Sequence, residues 1–133
     1  MIRKAQISDI FAIKSIIDLA AKKGEILPRT KKEITEIIDS FFVYERKKNI
    51  IGCCSLEIYS QKIAEVRSLV VLPKYRNQGI GTCLVKECLK EAEKKGIYEV
   101  MAITGKVSLF RKVGFHNCIN DQVPMFIKLS KPR

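Results

Sequence analysis

The sequence has no long hydrophobic run: its longest aliphatic stretch, Leu69-Val70-Val71-Leu72, is far too short to span a bilayer. The basic start, Met1-Ile2-Arg3-Lys4-Ala5, is not followed by an uninterrupted apolar stretch, which argues against a signal peptide. There is no C-x-x-C pair, and the five cysteines, at 53, 54, 83, 88 and 118, are odd in number. Neither a disulfide framework nor a zinc ribbon is therefore indicated, and no metal site is expected. Cys53 and Cys54 are neighbours on an expected strand and would point to opposite faces, a poor arrangement for sharing a metal. Reduced, mostly buried thiols in a cytoplasmic protein are the expectation. The single histidine, His116, reads as a structural loop residue. Internal repeats, low-complexity segments and Pro- or Ser-rich linkers are lacking. So are the G-x-x-x-x-G-K-[ST] and G-x-G-x-x-G nucleotide motifs.

What is present is an ordinary globular composition: 133 residues, 47% hydrophobic and 29% charged. That length suits one core, so residues 1–133 are read as a single domain. Lys and Arg number 25 against 14 Asp and Glu, a formal net charge of +11. Such a surplus attracts polyanions, whether nucleic acid, an anionic membrane or a phosphorylated cofactor. The basic residues are scattered, however, and interleaved with glutamates on the expected helices, as on a solubilising surface. Neither specific nucleic-acid binding nor membrane association is expected.

Periodicity divides the chain into alternating elements. Residues 2–6 read as a short strand. Ser8 reads as an N-cap before a helix with Ile10, Phe11, Ile13, Ile16, Ile17, Ala20 and Ala21 on its apolar face, ended by Gly24. Thr30 and Glu33 form a capping-box pattern ahead of a shorter helix carrying Ile34, Ile37, Ile38 and Phe41. Residues 41–46 and 50–59 read as a hairpin around Lys47-Lys48-Asn49, and 64–72 as a central strand ended by Pro73. Ile80, Leu84, Cys88 and Ala92 define a helical stripe that Gly96 stops. A strand over 98–103, a short helix over 106–113 and a last strand over 124–129 complete the order β-α-α-β-β-β-α-β-α-β. That order implies an α/β or α+β sheet with helices packed on it.

The chemistry is expected in the loop Arg76-Asn77-Gln78-Gly79-Ile80-Gly81-Thr82, which joins the Pro-ended strand to a helix. First-turn helix amides lack internal partners and carry the positive end of the helix dipole, so a pyrophosphate supplies acceptors they need. Gly79 and Gly81 remove the Cβ atoms that would hold an anion off the backbone. Arg76, with Lys74, adds cationic donors. For an isolated G-x-G the plain reading, a tight turn beside an exposed arginine, would usually win.

A second stretch adds specificity. The run from Val70 to Leu84 resembles the acetyl-CoA signature of the GNAT acetyltransferases, and Leu109-Phe110-Arg111-Lys112-Val113-Gly114-Phe115 looks like that family's closing helix and Gly-Phe step. Within the family, Gly24–Thr30, Ile51–Leu56 and Ala64–Val71 are most similar to the acetyltransferase domain of N-acetylglutamate synthases. The resemblance implies a mixed, mostly antiparallel central sheet flanked by helices, with acetyl-CoA as co-substrate. The backbone of Leu69, Val70 and Val71 would bind the pantetheine arm and polarise the thioester, and residues 76–82 would hold the pyrophosphate. An amine would attack the thioester directly.

Since amines are mostly protonated at neutral pH, with reference pKa values of about 8 and 10.4, a carboxylate could assist. Glu65 and Glu57 are the candidates. The alternative makes each a solvated strand residue or an ion-pair partner, such as Glu65 with Arg67. Arg29 and Arg67 are candidates for reading an acidic amino-acid substrate, L-glutamate foremost, against the alternative of plain surface arginines. Two departures stand out. Phe110 occupies the place where many members have a tyrosine acid, and Thr104-Gly105-Lys106 stands where synthases commonly carry a substrate arginine. Acetylation of a protein N-terminus, a lysine or a small amine, and a non-catalytic CoA-binding module, remain alternatives. The family often forms homodimers, though no sequence feature argues for one here.

Overall fold

The computed structural model describes residues 1–130. Along the chain run β1 (Ile2–Lys4), α1 (Ile10–Lys22), α2 (Lys31–Glu36), β2 (Phe41–Arg46), β3 (Asn49–Ile58), β4 (Ile63–Val71), α3 (Ile80–Lys94), β5 (Glu99–Ala102) and α4 (Val107–Val113). The five strands form one sheet in the order β1-β2-β3-β4-β5. The first four pair antiparallel, and β5 runs parallel to β4. A parallel neighbour needs a long crossover, and α3 supplies it. The β2–β3 hairpin turns on Lys47 and Lys48, both at positive φ (50° and 66°), the geometry that matches the twist of paired strands.

Each face of the sheet has its own core. On one, α3 and α4 bring Ile80, Leu84, Val85, Cys88 and Phe110 onto Cys54, Leu56, Ala64, Val66, Leu69 and Val71. On the other, Ile13, Ile16 and Ile17 of α1 and Ile34 of α2 cover Phe41, Val43, Cys53 and Val70. The stripe expected on α3 is buried as a unit, and Cys53 and Cys54 do face opposite ways. Cys53, Cys54 and Cys88 are buried, whereas Cys83 and Cys118 are exposed. Burial pushes the Cys53 thiol up to about 12. It also raises Cys54, which accepts a contact from Cys88 Sγ at 3.7 Å.

The capping box at Thr30 forms in both directions: Glu33 N–H donates to Thr30 Oγ1 at 3.0 Å, and Thr30 N–H to Glu33 Oε1 at 3.2 Å. Four expectations change. α2 ends at Glu36, so of the apolar residues expected on it only Ile34 lies in the helix; Ile38 falls in a 3₁₀ turn and Phe41 opens β2. Ser8 does not cap α1. It lies in a 3₁₀ turn, Ile7–Asp9, where the Asp9 carboxylate accepts from the Gln6 amide at 2.7 Å. The Arg3 guanidinium, bidentate on Asp9, holds that carboxyl below the usual range. Phe11 is 81% exposed, so the apolar face of α1 is narrower than its composition implies.

The closing strand expected over 124–129 is absent. Asn120 and Asp121 make a tight turn at positive φ, closed by a single bridge between Ile119 and Gln122. Beyond it Pro124 offers no amide donor, and Met125, Phe126, Ile127 and Leu129 are exposed. Within the described residues β5 is therefore the sheet edge.

Candidate functional site

The site is built where β4 leaves its neighbours. β5 pairs with β4 from Ile63↔Glu99 to Val66↔Ala102 and goes no further, while β4 continues to Val71. Across the other edge, the step from Cys53 to Ser55 in β3 is opposed by the step from Val70 back to Arg67 in β4. That inserts one extra residue into β4, a β-bulge, and Ser68 absorbs it at φ +53°. The bulge resets the alternation. Ala64 and Val66 face α3 before it, and Leu69 and Val71 after it. Past the bulge, the outer edge of β4 is met by two cations in place of a strand. Lys106 Nζ donates to the Leu69 carbonyl at 3.2 Å, and Arg76 Nε to the Val71 carbonyl at 3.0 Å. Two carbonyls at strand spacing, free of a neighbouring strand, suit an extended amide-bearing ligand.

The loop after β4 leads to the start of α3. A 3₁₀ turn, Pro73–Tyr75, precedes Arg76, and Asn77 and Gly79 take left-handed backbone at φ 62° and 80°. Gly79 is the N-cap of α3, and the first helical bond is Cys83 N–H to the Gly79 carbonyl at 3.0 Å. The amides of Ile80, Gly81 and Thr82 therefore have no acceptor within the helix. At Gly81 an added Cβ would lie 3.0 Å from Leu109 Cδ1, so the absence of a side chain also lets α4 pack close. Open amides, a left-handed glycine and a helix N-terminus together fit a pyrophosphate. Arg76 is not aimed into that cradle. Besides Val71 it pairs with Glu25 at 3.1 Å, tying the loop to the segment after α1. Gln78 accepts from Arg46 at 3.1 Å.

The four charged candidates gather into one cluster on the α1 side of β3 and β4. Glu57 and Glu65 are direct cross-strand partners, as are Ser55 and Arg67. Two carboxylates so placed repel unless cations intervene. Arg29, 7% exposed, bonds Glu57 Oε2 through one terminal nitrogen and Ser68 Oγ through Nε at 2.7 Å. It thereby pins the segment before α2 to the bulge. The Ser55 hydroxyl lies 3.0 Å from the same Glu57 oxygen. Arg67 sits between the carboxylates, 3.5 Å from Glu57 and 3.8 Å from Glu65, and remains about one-third exposed. Tyr59 donates its hydroxyl to Glu65 Oε1 at 2.6 Å. Burial, then the bond to Glu65, pushes the Tyr59 phenol above its usual range.

The sequence thus names the four charges and one of their contacts, Glu65 with Arg67, but not the pairing of Arg29 with Glu57. It passes over Tyr59, Ser55, Ser68 and the role of Lys106. The spacing of Ser55, Glu57 and Tyr59 on one strand face is the signal that could have found two of them. Phe110 is buried edge-on against Phe115, with ring centroids 5.0 Å apart, and offers no hydroxyl to a leaving group.

The acetyltransferase (GNAT) domain family matches residues 38–117. An uncharacterized N-acetyltransferase of Chlorobaculum tepidum is 36% identical over 126 residues, covering 95% of this chain and 81% of the relative. An amino-acid acetyltransferase of Photorhabdus laumondii is 29% identical over 126 residues, covering 93% of this chain. The match spans only 28% of that enzyme's length. Among solved structures, N-acetylglutamate synthase from Neisseria gonorrhoeae, complexed with coenzyme A and N-acetyl-glutamate, aligns with a TM-score of 0.84 at 26% identity, over 93% of this chain and 30% of the synthase. Mycobacterium tuberculosis Rv2747, in complex with CoA, gives 0.84 at 27% identity, over 93% and 76%. With its loop, split β4–β5 edge and family match in agreement, the chain belongs to the GNAT family and is an N-acetyltransferase that uses acetyl-CoA.

Proposed function

We propose that the acceptor is the amino group of a free acidic amino acid, L-glutamate first among candidates. The observation that carries this reading is Arg67. Of the two clustered arginines it alone is partly exposed, and its contacts with Glu57 and Glu65 are long. It can turn to meet a substrate carboxylate at little cost. Arg29 is buried against Glu57 and Ser68 and acts as a structural strut, so its expected role in substrate binding passes to Arg67. The likeness to amino-acid acetyltransferases supports the same substrate class.

In this reading the loop over 76–82 forms the pyrophosphate site, with the open amides of Ile80, Gly81 and Thr82 as its donors and Arg76 bracing the loop through Val71 and Glu25. The pantetheine arm lies along the outer edge of β4, with the thioester beside Leu69, Val70 and Val71. Holding amine and thioester in line supplies most of the acceleration, and backbone amides at the developing oxyanion add to it. Of the two carboxylates, Glu65 is the better placed to take a proton from the amine. Arg67 lies beside both, but Glu57 is also occupied by Arg29 and Ser55, whereas the other partner of Glu65 is the Tyr59 hydroxyl, through which a proton can be passed on.

Glu65→Gln is expected to lower kcat roughly a hundredfold with the KM for acetyl-CoA unchanged. Full activity across the pH range would remove Glu65 from the mechanism. The acceptor itself is tested by acetyl-CoA-dependent thiol release with single amino acids against a no-acceptor control. Release with L-glutamate is the expected result. Release only with peptides or polyamines would move the reading to those acceptors, and tight acetyl-CoA binding with no turnover on any acceptor would make the domain a CoA-binding module.

A further inference from the structure

Lys106 has a long side chain, yet its amine is half-buried at the mouth of the β4–β5 gap. Its base is fixed. The Lys106 amide donates to Thr104 Oγ1 at 2.8 Å, and its carbonyl accepts from the Phe110 amide at 3.2 Å, so the residue is set as the N-cap of α4. From there the amine spans the gap to the Leu69 carbonyl. Among the described residues no carboxylate lies within ion-pair distance of it. The charged and titratable groups around it are Glu25, the Arg76 guanidinium, and the buried Cys53 and Cys54 thiols. A lysine amine in such surroundings is neither solvated like a surface lysine nor neutralised by a partner.

We propose that Lys106 is itself an acyl acceptor, a self-acetylation site whose donor is acetyl-CoA bound along the β4 edge. This rests on the placement of the thioester beside Leu69 given above. The amine already touches the Leu69 carbonyl, so the reacting groups need no large movement to meet. Desolvation lowers Lys106 below the usual lysine range, which raises the fraction of neutral amine. The neutral Nζ attacks the thioester carbonyl carbon. The new C–N bond forms as the C–S bond breaks, and the sulfur departs as the thiolate of CoA, which takes the proton released by the nitrogen. The product is one amide-linked acetyl group on Lys106 and one free CoA. The modified side chain carries no charge and is longer by an acetyl group, so it would obstruct the next acetyl-CoA at the gap.

The test uses the full chain with acetyl-CoA and no acceptor, followed by intact mass and peptide sequencing. Acetylation at Lys106 is expected roughly a hundredfold faster than at any surface lysine, with a rate independent of protein concentration. Gly79→Val should suppress it without changing the slow chemical acetylation of surface lysines, and Lys106→Arg should remove that mark alone. An unmarked Lys106, or one marked at the surface rate, overturns the proposal. The same samples are assayed for acetyl-CoA binding and for turnover on L-glutamate. Turnover with Lys106 unmarked would sink the self-acetylation site and leave the proposed function standing. A marked Lys106 with no turnover on any amino acid would do the reverse.

Discussion

Gly79→Val weakens acetyl-CoA binding by about a hundredfold or more, while far-UV circular dichroism stays near that of the parent. Gly79 sits at φ +80° as the N-cap of α3, and nothing lies within 4 Å of where its Cβ would be. Space is therefore not the obstacle; backbone geometry is. A β-branched residue held in the left-handed region costs roughly 1–3 kcal/mol, which the chain can relieve by turning the loop. Turning it re-aims the first-turn amides that the pyrophosphate needs. A hundredfold loss corresponds to about 2.7 kcal/mol, within reach of that strain and misalignment together. Gly79→Asn is the companion variant: asparagine tolerates positive φ and should lose far less. Gly81→Val should also weaken binding strongly, by a different route, because its Cβ would press on Leu109 and shift α4. Calorimetric titration with acetyl-CoA separates these cases. Unchanged affinity in Gly79→Val would refute the loop assignment.

Arg29→Ala lowers the thermal midpoint by roughly 10–15 °C, whereas Arg67→Ala barely moves it and raises the acceptor KM about tenfold or more. The two arginines contact the same carboxylate, Glu57, but differ in surroundings. Removing Arg29 takes away the closest cation of Glu57, leaving the Ser55 hydroxyl and the longer Arg67 contact, and empties a buried space, a loss of about 3–5 kcal/mol. In a domain of this size that shift is several degrees per kcal/mol. Arg67 is one-third exposed and held by long contacts, so its pairs are worth under about 1 kcal/mol to stability. The double change Arg29→Met with Glu57→Leu should recover much of the lost stability, since no charge is then left buried alone. Differential scanning calorimetry and initial rates against acceptor concentration decide the matter. An unaltered midpoint in Arg29→Ala would show that the strut does not support the fold.

The signals that sequence alone carries are those set by close neighbours in the chain. The Thr30–Glu33 capping box, the α3 stripe and the glycine loop are each decided within a few residues, and each forms. The pairing of Arg29 with Glu57 joins residues 28 apart and depends on how α2 docks onto β3, which no local pattern states. The bulge at Ser68 is hidden for another reason. Arg67 and Ser68 interrupt the alternation, but Leu69-Val70-Val71 is apolar on every residue, so the hydropathy does not show which face the strand resumes after the interruption. The closing strand fails in the opposite sense. Val123, Met125, Ile127 and Leu129 alternate as a strand would, yet alternation specifies a face and not a partner edge.

The distribution of cysteines has a use in labelling. The three thiols at the core are shielded by packing, and only Cys83 and Cys118 are open to solvent. Cys83 belongs to the residue whose amide makes the first bond of α3, one turn from Gly79. Replacing Cys118 alone with serine would therefore leave one accessible attachment point beside the loop. A fluorophore or spin label there would report nucleotide arrival directly, without stripping sulfur from the interior.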